Sequence, residues 1–334
     1  MLTKKVPCES SKSHKHRTGF NWWILVAMAV TMGAGIRAAT AAENDAAADS
    51  AKGFEKMLRI QYDAIREASA DKFSSVYAPE AFVLGPIADE VVTGQDGVKK
   101  VVAGLLLEPG SSKEATTVDS EDVAEGFRVG LSSDNACAWT YDQIAVTTPA
   151  GFGYFRIATL ASKESGKWQV VAQSWSCPVS EADEAFASGQ FIKPLPMPGE
   201  IGPGAQALAQ SVTDYVEHAR WDDWNGRTDT FFVGPGLNHA IVVGDQKSNA
   251  SAHSSLKRWT IKPGTGGTFA KLVCGGNAGF ATYNVTFVDK ENDHAVYPMR
   301  AIEFYSKDAD RYRRVLIETG ATIRKLNRQA LPVL

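Results

Sequence analysis

Cysteine is scarce in this 334-residue chain, four residues in all, which excludes a disulfide framework as the source of the fold. Histidine is absent from the long stretch between His16 and His218. His-based metal sites and Ser-His or Cys-His nucleophile pairs are therefore excluded there. The later His218, His239, His253 and His294 are scattered without ligand spacing. A phosphate-cradling loop is missing too, because Gly264-Thr265-Gly266-Gly267 lacks the following Lys-Ser/Thr. No metal or cofactor is expected. The apolar run from Trp22 to Ile36 spans 15 residues, short of the roughly 20 that cross a bilayer. What is present, 44% hydrophobic and 22% charged residues, excludes a disordered chain. At about 100–200 residues per domain the length allows two cores.

The formal charge of −3 is unevenly spread. Residues 1–41 hold six basic side chains (Lys4, Lys5, Lys12, Lys15, Arg17, Arg37) and one acid, Glu9. Taking these from the totals of 35 and 38 leaves 29 basic and 37 acidic groups, a balance of −8. An acidic body argues against nucleic acid or an anionic membrane as partner. A basic start, a short apolar core and the small residues Ala39-Thr40-Ala41 form the pattern of a secretory signal peptide over 1–41. Export to a periplasm or the exterior is expected, with no stable membrane insertion after cleavage, and an Ala- and acid-rich leader over 42–51.

The rest of the sequence repeats itself. Phe82-Val83-Leu84-Gly85-Pro86 recurs as Phe231-Phe232-Val233-Gly234-Pro235, and Val91-Val92-Thr93-Gly94 as Ile241-Val242-Val243-Gly244. Thr140-Tyr141 matches Thr282-Tyr283, Arg156 to Lys163 matches Arg300 to Lys307, and Lys167-Trp168 falls on Arg311-Tyr312. The five matches keep their order. Lys193-Pro194-Leu195-Pro196-Met197-Pro198-Gly199 between them reads as a stiff linker. The predicted domains are 52–186 and 204–328, joined by 187–203.

In the first copy Phe54, Met57, Leu58, Tyr62 and Ile65 form one helical stripe, and Val98, Val101, Val102 and Leu105 a second. Strands are predicted over 127–133, 136–147, 152–163 and 167–177, with Asp134-Asn135 as a hairpin turn. The second copy predicts a helix over 205–220, a helical turn near 255–259, and strands near 270–274, 278–289, 295–306 and 311–320. Helices followed by an antiparallel meander define an α+β protein.

This order, with Glu90-x-x-x-Gly94, Ala138-Trp139 and the closing Gly166-Lys167-Trp168-Gln169-Val170-Val171-Ala172, resembles the SnoaL-like branch of the NTF2-like superfamily. The resemblance implies two tandem cone-shaped α+β barrels, helices packed on a curved antiparallel sheet, each with a pocket. It also implies, for the ketosteroid-isomerase-like members, a base carboxylate just before a Pro, a Tyr on the first helix and a deeper Asp. Here Gly85 and Gly234 stand before the two prolines, Tyr62 matches the helix Tyr, and no acid lies near 157–159. That mechanism is disfavoured.

Two functions follow. One is a non-catalytic exported module binding a small apolar ligand or a protein partner, with Tyr62, Trp139, Tyr141 and Trp175 lining the concave side. The other is an isomerase or cyclase acting on a polycyclic or aromatic substrate through Tyr62, with Asp89 or Glu90 as base. The plainer reading is that these aromatics fill the cone as core. Arg156 and Arg300 are read either as members of Arg–acid pairs or as contacts between the copies, which would then form an intramolecular pseudo-dimer. Strand spacing keeps Cys137 from Cys177, and Cys274 belongs to the other copy, so no disulfide is predicted and these three cysteines are expected to be small buried hydrophobes.

Overall fold

The computed structural model describes the backbone of residues 22–86, 89–106, 117–121, 129–148, 151–176, 193–218, 230–233, 240–243, 259–290 and 296–322. The chain divides into two units, Met1–Ala46 and Ala47–Leu334. The described part of the first is the start of helix α1 (Trp22–Arg66). The basic stretch through Arg17 lies outside the described residues. No helix among the described residues is long and apolar enough to cross a membrane.

In the second unit, α1 is followed by α2 (Ala70–Ser74), whose N-cap Ser69 accepts a hydrogen bond from the Lys72 amide. Then come β1 (Tyr77–Leu84), β2 (Val91–Thr93), α3 (Gln95–Leu106), β3 (Thr117–Glu121), β4 (Gly130–Leu131), β5 (Cys137–Thr148), β6 (Gly151–Glu164) and β7 (Lys167–Ser176). After the linker run α4 (Gln206–His218), β8 (Thr230–Val233), β9 (Ala240–Val243), β10 (Trp259–Pro263) and β11 (Phe269–Val273). A 3-10 turn (Cys274–Gly276), β12 (Ala278–Asp289), β13 (Val296–Asp308) and β14 (Arg311–Ala321) complete it. The helical turn expected near 255–259 lies outside the described residues except for Trp259, which opens β10.

The α+β class expected from the sequence is the class observed. One sheet has the order β2-β1-β7-β6-β5-β3, with β4 also on β5. The other has the order β10-β12-β13-β14-β8-β9, with β11 also on β12. In each, an early strand lies parallel to the last one, β1 on β7 and β8 on β14, and the remaining pairs are antiparallel. The β6–β7 turn needs left-handed backbone at Ser165 (φ 50°) and Gly166 (φ 80°), which glycine supplies without steric cost.

Side-chain alternation separates three cores. Under α1 and α3, Phe54, Leu58, Tyr62, Val98, Ile144 and Ile157 form one. Under α4, Leu208, Tyr215, Val285, Phe287 and Ile317 form another. The opposite faces of the two sheets meet in the third, where Leu84, Trp139 and Leu160 pack with Phe280, Phe304 and Leu316. Phe82 stacks on Phe269 at 4.6 Å between ring centroids. Each fully buried side chain of this size contributes about 1.5–3 kcal/mol, so the seam between the sheets is a core in its own right.

The seam overturns the prediction of no disulfide. Cys137 and Cys274 are bonded, their Cα atoms 6.2 Å apart. Strand spacing within one sheet gave no route to a pair, whereas one sheet packed on the other brings the start of β5 against the end of β11. Asn277 donates to Asp134 beside the bond at 2.6 Å. Cys177 lies outside the described residues.

Candidate functional site

The helix-facing side of the first sheet carries a buried polar cluster. The Tyr62 hydroxyl on α1 donates to Asp142 Oδ2 on β5 at 2.5 Å, and both residues are buried. Burial and the adjacent Asp142 carboxylate hold the Tyr62 hydroxyl well above the ordinary phenol range, so it stays a donor. One helical step away, Gln61 Nε2 donates to Tyr77 Oη (2.5 Å) and to Gln173 Oε1 (3.0 Å). Gln173 Nε2 donates back to Gln61 (3.1 Å) and to Thr159 (2.8 Å), while Trp175 Nε1 donates to Gln173 Oε1 (2.7 Å). Tyr77 also donates to Gln173, and burial raises its own pKa. Trp175 is half-buried, and its ring meets Phe73 at 6.0 Å and Phe155 at 6.1 Å. The Phe73, Phe155 and Trp175 rings thus pack beside this hydrogen-bonded cluster.

The four aromatics expected on one concave surface do not share a face. Tyr62 and Trp175 belong to the helix-side core, but Trp139 and Tyr141 point into the seam with the other sheet. Alternation along β5 is as expected; the face carrying Trp139 is the one the second sheet covers. Asp89 is exposed and Glu90 half-buried. A Cβ at Gly85 would lie 2.2 Å from Glu90 Oε2, so the Glu90 carboxylate occupies the volume of any side chain at that position.

Asp142 is a buried acid facing Tyr62, while 157–159 holds no acid; the sequence contains its signal, a mid-strand acid flanked on its own face by Thr140 and the apolar Ile144. Glu303 is the second acid sequence reasoning missed, and it lies in the apolar run Ala301 to Tyr305. It is fully buried under α4. Tyr283 donates to its Oε1 at 2.7 Å, and Tyr305 and Arg314 Nε (2.6 Å) donate to Oε2. Burial disfavours the Arg314 cation, but Glu303 and the phenols Tyr305 and Tyr283 more than offset this and raise its pKa.

Both repeated arginines reach into the seam. Arg300 Nη1 donates to the carbonyls of Glu90 (3.1 Å) and Gly85 (3.3 Å) on the facing sheet. Burial lowers it to about 10, with Glu90 and Asp89 opposing. Arg156 donates to Gln143 (3.2 Å) and acts on Glu318 of β14, whose carboxylate also accepts from Ser176. Burial pushes Glu318 up to about 7, against Ser174, Ser176 and Arg156.

No protein-family profile matches the chain, and no curated protein is similar enough in sequence to match. Solved structures do resemble it. An NTF2-like protein of unknown function from Pseudomonas putida has 14% identity and a TM-score of 0.33, covering 43% of this chain and 91% of its own. A ketosteroid isomerase-like protein from Erwinia carotovora atroseptica has 15% identity and a TM-score of 0.30, covering 38% and 94%. A cystatin-like fold from Nostoc punctiforme, also of unknown function, has 10% identity and a TM-score of 0.31, covering 37% and 86%. Each likeness takes in less than half of this chain, and at such scores none bears on ligand or reaction.

Proposed function

We propose that this is an exported, non-catalytic binding module of two tandem NTF2-like domains, 52–186 and 204–328, packed as an intramolecular pseudo-dimer. The first domain takes a small apolar ligand or a protein partner beside the half-buried Phe155 and Trp175. The observation that carries this reading is the commitment of the inner carboxylates. Glu303 accepts from three internal donors and Asp142 from Tyr62. A carboxylate held by three donors, as Glu303 is, is a poor base for a substrate proton. At Gly85, where the ketosteroid-isomerase-like members place their base, no side chain fits while Glu90 stays in position. Export is supported by the basic-then-apolar start and by the Cys137–Cys274 bond, since disulfides persist in oxidising compartments.

Native mass spectrometry of the protein purified from its own host tests this reading. A retained small molecule, or a co-purifying protein, that is lost on Trp175→Ala supports it. A bare mass with no partner, unchanged by that substitution, overturns it. The second reading, an isomerase or cyclase, is favoured by the Tyr62–Asp142 pair and by the Glu90 carboxylate lying over Gly85. It requires turnover that Asp142→Asn or Glu90→Gln abolishes.

A further inference from the structure

The two ends of the disulfide differ in surroundings. Cys137 opens β5, is fully buried, and its amide donates to Ser132 Oγ at 2.8 Å. Cys274 is partly exposed and lies in the turn between β11 and β12. Its φ is 54°, followed by 61° at Gly275 and 89° at Gly276. Two glycines accept left-handed backbone freely, but a residue with a Cβ does not. Cys274 is thus kept in a disfavoured conformation, next to two residues that let the turn move, at the rim of the seam.

We propose that Cys274 is a thiol-exchange site, and that the disulfide is a reversible latch on that rim. A thiolate from an external dithiol attacks Cys274 Sγ, the open end, because the Cys137 side is enclosed. The bond to Cys137 breaks, its electron pair leaves on Cys137 Sγ, and that thiolate takes up a proton. The second thiol of the reductant then attacks the mixed disulfide. This releases Cys274 as a thiolate and leaves the reductant as its own disulfide, a two-electron exchange in all. Released, Cys274 leaves its left-handed conformation, and the rim around Asp134 and Asn277 opens. The centre of the seam stays closed, because Phe82, Phe269, Phe280 and the Arg300 contacts are independent of the sulfur bond.

The test uses the full natural chain with reduced glutathione as probe, followed by acid quench and peptide mapping. Glutathione on Cys274, at least tenfold over Cys137, is expected. Equal labelling, labelling of Cys137, or labelling only after denaturant overturns the proposal. Single variants give a second arm: in Cys137→Ser the remaining Cys274 reacts with glutathione disulfide in the native state, while in Cys274→Ser the remaining Cys137 does not. Hydrogen exchange of the reduced wild type, which needs no substitution, reads the latch itself. Faster exchange confined to 132–137 and 273–277 supports it, and either no change or loss of protection throughout β6 and β13 overturns it.

Discussion

Substituting Glu318 by Gln should stabilise the protein progressively as pH rises from about 4.5 to 7, fully above that, and leave it unaffected at lower pH. Glu318 is fully buried in the seam, facing Arg156 from β6, Tyr141 from β5, and Ser174 and Ser176 from β7. Burial raises its folded pKa to about 7 from an ordinary value of 4.5. A raised carboxylate works against folding once its unfolded counterpart ionises, because the folded state must then keep the proton or bury the charge. No stability is lost below about pH 4.5; the loss builds from there to about pH 7, where the unfolded chain has given up the proton and the folded one still holds it, and levels off above 7. At 1.36 kcal/mol per pKa unit the full effect is about 3 kcal/mol. Gln keeps an acceptor for Ser176 and carries no charge. Urea unfolding of both proteins from pH 4 to 8.5 measures the gap, and other carboxylates cancel in the difference. The variant should gain about 3 kcal/mol on the wild type across that range, roughly 1 M urea for a slope near 3 kcal/mol per M. A gap that stays constant with pH refutes the reasoning. So does a wild type that gains on the variant in base, which would mean Arg156 outweighs burial.

Tyr62→Phe removes the donor to a buried carboxylate and should cost about 1–3 kcal/mol in urea unfolding. Arg314→Met leaves Glu303 buried without its cation and should cost about 3–5 kcal/mol, most of it recovered in the double variant with Glu303→Leu. Gly130→Ala would put a Cβ 2.1 Å from Trp139 Nε1; the forced shift should cost about 1–3 kcal/mol, seen as a lower Tm. Cys137→Ser opens a loop with a sequence separation of 137; by chain entropy the loss is about 5 kcal/mol, which denaturant unfolding of oxidised wild type and variant should show.

The long elements were legible because their patterns are long. Phe54, Met57, Leu58, Tyr62 and Ile65 specify the buried side of α1, and β5, β6, β12 and β13 fall within two residues of their predicted spans. Short strands such as β2 and β9 carry too few residues to show a period. Matching Tyr141 to Tyr283 by identity was a misleading alignment. Gln143 pairs with Arg156 and Asn284 with Arg300, so in strand register Asp142, not Tyr141, occupies the place of Tyr283. That one-residue slip moves a side chain to the other face. Asp142, facing Tyr62, therefore stands where the second copy has Tyr283, while Trp139 and Tyr141 keep the face that alternation gives them, the one the second sheet covers. The disulfide was illegible for a related reason: it depends on how two sheets stack, which no strand's own pattern encodes.

The parallel pairing of β1 with β7 has a consequence for how the protein is made. Leu84 finds Ser174, and Phe231 finds Leu316, only after the whole meander between them exists. Each sheet is closed last by joining its beginning to its end, the kind of non-local contact that slows folding. On a ribosome or a translocon, the first sheet can close as soon as Ser176 emerges. Its outer face, with Trp139 and Leu160, then waits uncovered until the second sheet has been threaded through and closed in turn. The interval between these two closures is when the chain is most open to capture by chaperones or by copies of itself.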